Sequence, residues 1–307
     1  MAGRRRFALG PLALALLAFH GACRAPQTTP APSASSAAAS APPNASPLRV
    51  ASTPPAASSS ASLVASSSPL AAAGVAPSAA ALAPLSEPTP LVTLTVPGFR
   101  DAVVSVPLAA TSPRVVALAL HGNFDRPEWQ CEVWRRITQG EVFVLCPRGV
   151  PRRDVPKELD RWEWSALAKT KLEILAALAA LRARYPDHVK SGPVVFTGFS
   201  LGAILGARLI QDPELNVGAA VLVEGGYEGW TVAKAKASKP WLRRVLFACG
   251  QTECRNAYRY QLERLFEIAG VPSSVVADVK AGHTYDDPVA ALVRTEWVAI
   301  LAAIESQ

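Results

Sequence analysis

Pro193-Val194-Val195-Phe196-Thr197-Gly198-Phe199-Ser200-Leu201-Gly202-Ala203 is an apolar, β-branched run that ends in Gly-x-Ser-x-Gly and passes directly into a helical pattern. It reads as strand, tight turn and helix, with a serine at the apex. In that setting the turn lifts the serine oxygen clear of the backbone, which is what a nucleophile needs. The flanking glycines suit this, because side chains there would crowd the crossing strand and helix and because a sharp turn asks for permissive φ and ψ. Ser200 is therefore expected to be a nucleophile rather than an ordinary turn serine.

Outward from this stretch, strands and helices alternate. Residues 91–96 and 102–108 read as an opening antiparallel hairpin. The uninterrupted apolar run 114–120 fits a strand covered on both faces and ends in His121-Gly122-Asn123. A helix is expected over 125–138, a strand over 141–146 and a long amphipathic helix over 166–185. The apolar positions of that long helix are Leu167, Leu172, Ile174, Leu175, Leu178 and Leu181. Beyond Ser200 come a helix to Gln211, strands over 217–224 and 241–249, a helix over 254–269, a strand over 273–279 and a closing helix over 287–305. Such alternation indicates a three-layer α/β architecture, a mainly parallel sheet with helices on both faces.

The N-terminal part has a different composition. Arg4-Arg5-Arg6, the apolar run from Phe7 to Phe19 and the small residues before Cys23 read as an export signal over 1–22. Cys23 at the cleavage point matches a lipidation site, although His20 stands where that pattern wants Leu; plain secretion and an uncleaved anchor are the alternatives. Residues 23–89 are almost wholly Ala, Pro and Ser and read as a disordered tether, about 45 Å in root-mean-square span. The folded unit is then 90–307, on an exported protein anchored in the outer membrane by a lipid on Cys23 and facing the periplasm or the cell surface. The chain carries 31 Lys and Arg against 24 Asp and Glu; five of the former and one of the latter precede Pro90, which leaves the domain at +3. With no basic stripe interleaved with aromatics, nucleic-acid binding is not expected. Export implies an oxidising compartment. The preferred pairing of the remaining cysteines is Cys131 with Cys146 and Cys249 with Cys254, with buried free thiols as the alternative.

An unaided serine hydroxyl is a poor nucleophile and needs a base, itself oriented by an acid. Of the four histidines, His20 lies in the leader, His188 in a surface loop, and His121 is expected to shape the wall of the site with Gly122 and Phe199. His283, after the last strand, is the expected base. Glu253, just past the strand 241–249, is the expected acid, with Glu224 at the end of the preceding strand as the alternative. Asp286 and Asp287 fit the start of the closing helix better. The backbone N–H groups of Leu201 and Asn123 are the expected oxyanion donors. The segments Asp160–Trp164 and Gly225–Trp230 are expected to rim the pocket with aromatic surface, or to be structural packing.

Taken in order, strand-His-Gly, Gly-Phe-Ser-Leu-Gly, Gly-x-x-acid and Gly-His resemble the α/β-hydrolase superfamily, and most closely its dienelactone hydrolase, phospholipase and carboxylesterase group. The resemblance covers about 91–307. It implies the α/β-hydrolase fold and cleavage of a small-molecule carboxylic ester, or a thioester or amide, through an acyl-enzyme on Ser200, with no metal and no organic cofactor. A non-catalytic surface lipoprotein that uses the fold for binding, and a peptidase of the same fold, are the alternatives.

Overall fold

The computed structural model describes residues 81–305. The expected leader, the lipidation candidate Cys23 and the tether as far as residue 80 lie outside the described residues.

Strands β1 (Leu91–Leu94) and β2 (Ala102–Ser105) form the expected hairpin, with Leu91 opposite Ser105. The fully buried β3 (Val116–Leu120), helix α1 (Pro127–Ile137) and β4 (Phe143–Cys146) follow. The short β5 (Val150–Pro151) and β6 (Trp162–Glu163) pair as a separate small hairpin. Then come α2 (Leu167–Arg184), β7 (Val194–Phe199), α3 (Leu201–Leu209), β8 (Val217–Val223), α4 (Val232–Ser238) and β9 (Arg244–Cys249). Helices α5 (Thr252–Ala257) and α6 (Glu263–Ala269), strand β10 (Ser273–Ala277) and helix α7 (Val289–Glu305) complete the order.

The main sheet has eight strands in the order β1-β2-β4-β3-β7-β8-β9-β10. Its pairs are antiparallel from β1 through β4 and parallel from β4 to β10. The serine-bearing strand β7 thus lies in the middle, between β3 and β8.

Alternation along the strands builds two cores, one on each face. Phe196 joins Leu118, Leu222 and Phe247 under α2 and α6. Its neighbour Val195 points the other way and joins Val221 and Leu246 under α1 and α7. There Trp134 of α1 meets Trp297 of α7 with ring centroids 6.0 Å apart. Three layers follow directly from this two-sided burial.

Three local expectations are corrected. In α2, Ile174, Leu178 and Leu181 are buried as expected, but Leu172 is 58 % exposed. Its neighbour Glu173 faces inward instead, accepting the N–H groups of Arg148 at 3.1 Å and Gly149 at 2.8 Å. Burial pushes the Glu173 carboxyl above its usual range, and those two N–H bonds oppose the shift. The helix expected over 254–269 is interrupted by a π turn at Tyr258–Leu262. Helix α4, whose Ala and Lys residues lack an apolar stripe, was not anticipated.

The packed chain also reaches back before Pro90, the expected start of the folded unit. Leu85 is buried, and the N–H groups of Leu82 and Leu85 donate to Thr111 and Ala110, both at 3.0 Å. The Glu87 carboxylate accepts the Tyr185 hydroxyl at 2.5 Å and Arg184 Nη2 at 2.8 Å, and the hydroxyl bond holds it below its ordinary pKa. Average composition cannot register one leucine and one glutamate that find tertiary partners. Glu87→Ala is expected to remove about 1 kcal/mol locally, which raises opening of 81–90 roughly fivefold. Limited proteolysis ahead of Pro90 measures this, and an unchanged cleavage rate would show that the clamp contributes nothing.

Candidate active site

The elbow forms where β7 gives way to α3. Ser200 has φ 50° and ψ −115°, a sparsely populated conformation for a residue with a side chain. The strain belongs to the serine itself and not to the flanking glycines, which the structure keeps out of the left-handed region. Those glycines are required for close approach. A Cβ on Gly202 would stand 2.2 Å from the Leu120 carbonyl oxygen, and one on Gly198 2.7 Å from that of Gly202. The elbow is secured by Ser200 N–H donating to Val223 O at 2.9 Å and by Ile204 N–H donating to Ser200 O at 2.9 Å.

His283 lies on the loop between β10 and α7. That loop is pinned to the end of β9 by Gly282 N–H, which donates to Gly250 O at 2.9 Å. The imidazole rests against Phe199, the residue before the serine, with centroids 5.0 Å apart. Phe199 therefore packs the histidine onto the elbow. The His283 side chain is 47 % exposed.

The carboxylate that faces its Nδ1 is that of Glu224, the alternative, and not that of Glu253. Glu224 Oε2 lies 3.2 Å from His283 Nδ1, and the Glu224 side chain is only 2 % exposed. Glu224 immediately follows β8 with φ 53°, and its own N–H donates to Ala248 O. Its other oxygen, Oε1, accepts the N–H groups of Gly250 and Gln251, the latter at 2.9 Å. One carboxylate oxygen is thus anchored to the end of β9 while the other faces the histidine. Glu253 sits exposed in the first turn of α5. Cys254 takes the inward position, and successive helical residues point about 100° apart, so Glu253 is turned to solvent.

Both disulfides have the expected connectivity. Cys249 and Cys254 are bridged with Cα atoms 5.6 Å apart, and their sulfurs lie within 4.8 Å of the Glu224 carboxylate. This bridge closes the same turn whose N–H groups hold Glu224. Cys131 and Cys146, with Cα atoms 5.9 Å apart, staple α1 to β4 and close a loop with a separation of 15 residues. A loop of that size corresponds to about 3 kcal/mol, so replacing both cysteines by alanine is expected to lower Tm by roughly 6–12 °C. Scanning calorimetry checks this, and a drop below about 2 °C would remove the bridge from the stability account.

The segment expected to supply an oxyanion donor also lies on the elbow. The Cβ position of Gly122 is 3.5 Å from Ser200 Cβ and 2.7 Å from the Phe199 ring. Gly122 N–H is committed to Asp125 Oδ2 at 3.3 Å. Among the described residues the Asn123 N–H is given to no acceptor. Leu201 opens α3, so its N–H is one of the free donors at a helix N-terminus.

His121 does not line the pocket. It is wholly buried, its ring stacks on Trp164 at 4.5 Å, and its nitrogens face the carbonyl oxygens of Gly122 and Arg148 at 2.7 and 2.9 Å. Burial pushes its pKa down, and a neutral ring donates to only one of the two carbonyls at a time. Of the expected pocket rim, Trp164 donates Nε1–H to His121 O, and Trp230 donates to Gly226 O and packs on Phe266. These tryptophans are packing residues, while Asp160, Arg161 and Trp162 do line a cavity.

Sequence reasoning missed Asp125 and Tyr285. Asp125 Oδ1 accepts Arg126 N–H at 2.7 Å and the Tyr285 hydroxyl at 3.1 Å. It thereby couples the 121–125 loop to the loop bearing His283. Burial raises the Asp125 carboxyl above its usual range, and burial beside that carboxylate raises the Tyr285 hydroxyl. Tyr285 also packs on Phe199 at 4.5 Å. The spacing of Tyr285, two residues past His283, was the available signal.

No family model matches the chain, and no curated protein matches it. Solved structures do. A protein assigned as a dienelactone hydrolase from Klebsiella pneumoniae is 16 % identical, with 69 % of this chain and 98 % of that one covered and a TM-score of 0.50. A lipase in its open form is 10 % identical over 71 % of this chain and 99 % of its own, with a TM-score of 0.52. These likenesses and the sheet order establish the α/β-hydrolase fold. Fold alone names no activity.

Proposed function

We propose that the domain is a serine hydrolase that cleaves carboxylic esters through an acyl-enzyme on Ser200. The observation that carries this reading is the buried Glu224 facing Nδ1 of a half-exposed His283, whose ring rests on Phe199, the residue before the strained Ser200. Strain of this kind persists only where the surroundings impose it, and it concentrates at functional sites.

On this reading Ser200 Oγ attacks the ester carbonyl carbon as His283 Nε2 takes the hydroxyl proton. Glu224 holds Nδ1–H and offsets the imidazolium charge. The Leu201 and Asn123 N–H groups receive the developing oxyanion. Collapse of the tetrahedral intermediate breaks the bond to the alcohol oxygen, and His283 delivers its proton to that oxygen. Water, deprotonated by His283, then attacks the acyl carbon and releases the acid and free Ser200. Each step uses only these side chains and backbone donors.

The test combines turnover of short p-nitrophenyl esters with mass spectrometry after treatment with a fluorophosphonate. A single adduct on the peptide containing Ser200 is expected, with loss of turnover in proportion to labelling. No adduct, or an adduct elsewhere that stops turnover, would sink the reading.

A further inference from the structure

We propose that the esters taken by this site carry an anionic group, a carboxylate or a phosphate, which is held in a cationic cavity beside Asn123. This rests on the serine-hydrolase reading and names its substrate class. The cavity measures about 590 Å³ and is lined by Arg100, Arg152, Arg153, Lys157 and Arg161, with Asp160 as the one acid among its lining residues. Arg100 arrives from the turn between β1 and β2, and the others come from the connection between β5 and β6.

Part of this charge is already answered. Asp160 pairs with Arg126, which is outside the cavity. Arg152 pairs with Asp154 and, at 3.6 Å, with Glu163. Arg161 Nη1 donates to Leu159 O at 2.6 Å. Arg100, Arg153 and Lys157 are exposed and make no ion pair among the described residues. With Arg161, whose carbonyl partner leaves its charge uncancelled, these make four cations without an ion pair on one concave surface, which focus a positive potential there. A neutral acyl chain gains nothing from that field and costs desolvation of the guanidinium groups, whereas an anion is attracted.

The cavity wall and the oxyanion segment are one hydrogen-bonded unit. Arg152 Nη1 donates to Asn123 Oδ1 at 2.5 Å, and Phe124 N–H donates to Trp162 O at 3.1 Å. The guanidinium groups of Arg152 and Arg161 lie 5.5 and 5.3 Å from the Phe124 ring, which is 44 % exposed. Gly122 abuts Ser200, and the very next residue meets the cavity's arginine. An ester with its carbonyl on Ser200 can therefore extend one short arm into the cationic surface.

The experiment compares kcat/KM within matched pairs. For a carboxylate the pair is p-nitrophenyl hemiglutarate against p-nitrophenyl pentanoate. For a phosphate it is p-acetoxyphenyl phosphate against p-cresyl acetate. We expect the anionic member of at least one pair to lead by about tenfold at low salt, equivalent to about 1.4 kcal/mol. In 1 M salt, where the screening length falls to about 3 Å, the ratio is expected to approach one. Arg153→Gln with Lys157→Gln should bring it near one at low salt, and Arg153→Glu with Lys157→Glu should invert it. Ratios near one in the wild type for both pairs, or ratios unmoved by these substitutions, would overturn the proposal. If the wild type turns over none of the esters and takes no fluorophosphonate, the serine reading fails separately. Calorimetric binding of p-nitrophenyl hemiglutarate and p-acetoxyphenyl phosphate to the Ser200→Ala protein then decides the cavity. Binding weakened about tenfold by charge reversal supports it, and binding that is absent or indifferent to charge overturns it. Melting curves of each variant verify that the fold is intact.

Discussion

Ser200→Ala is expected to lower kcat for a short ester by at least about 10⁴-fold, because no other group supplies the nucleophile and the remaining oxyanion donors sustain only a residual rate. KM should change much less, since a hydroxyl contributes little to ground-state binding. The same residue allows a second readout. A non-glycine residue held at φ 50° costs roughly 1–3 kcal/mol. Ser200→Gly removes the nucleophile and that strain together, so it should be as inactive as the alanine variant while raising Tm by about 2 °C or more. Steady-state kinetics and calorimetry on the two variants check both parts. Retained turnover in Ser200→Ala would remove the nucleophile assignment. A glycine variant no more stable than the alanine variant would mean that the elbow stores no strain.

Glu224→Gln should reduce kcat by about 10²- to 10⁴-fold, whereas Glu253→Gln should leave it within about twofold of wild type. The large effect comes from hydrogen-bond polarity. The Gly250 and Gln251 N–H groups need an acceptor at the Oε1 position, so the amide oxygen of a glutamine goes there. Its NH₂ group then faces His283 Nδ1 and imposes the tautomer in which Nε2 carries the proton and cannot accept one from Ser200. Glu253 has no such contact and is exposed. Kinetics of the two variants side by side distinguish the candidates, and a collapse in Glu253→Gln with Glu224→Gln near wild type would reverse the assignment.

The choice between these carboxylates shows where sequence reasoning reaches its limit. Both follow strands of the same sheet and both precede the histidine in the chain, so order alone cannot separate them. The outcome depends on which way each side chain turns at its strand end. At Glu224 a left-handed residue aims the carboxylate along the sheet edge toward two N–H donors. At Glu253 a helical turn, stapled through Cys254, aims it outward. Neither orientation is encoded by residue type or spacing.

The same holds for His121, which stands in the pocket-lining position by sequence but is buried beneath Trp164, a residue 43 positions away. It holds again for the cationic cavity. Along the chain Arg100 is remote from Arg152 and Arg153, and no basic stripe appears; the turn after β1 brings them to one surface.

What the sequence determined by itself was everything governed by local periodicity and local sterics. Continuous apolar strands alternating with amphipathic helices require a two-sided parallel sheet, and glycines flanking a serine at a strand end require an elbow where strand and helix touch. Cysteine spacing pointed to the preferred pairing, since each bridge joins elements adjacent in the chain, but free thiols were excluded only by the Cα separations of 5.9 and 5.6 Å in the folded chain. What only the tertiary structure decided were the partners supplied by distant segments: Glu224 for His283, Tyr285 for Asp125, Tyr185 for Glu87, and Arg100 for the cationic cavity. Hydrogen bonds and charge pairing act over a few ångströms between atoms, and those distances are set by how whole layers pack, a quantity that no window of sequence contains.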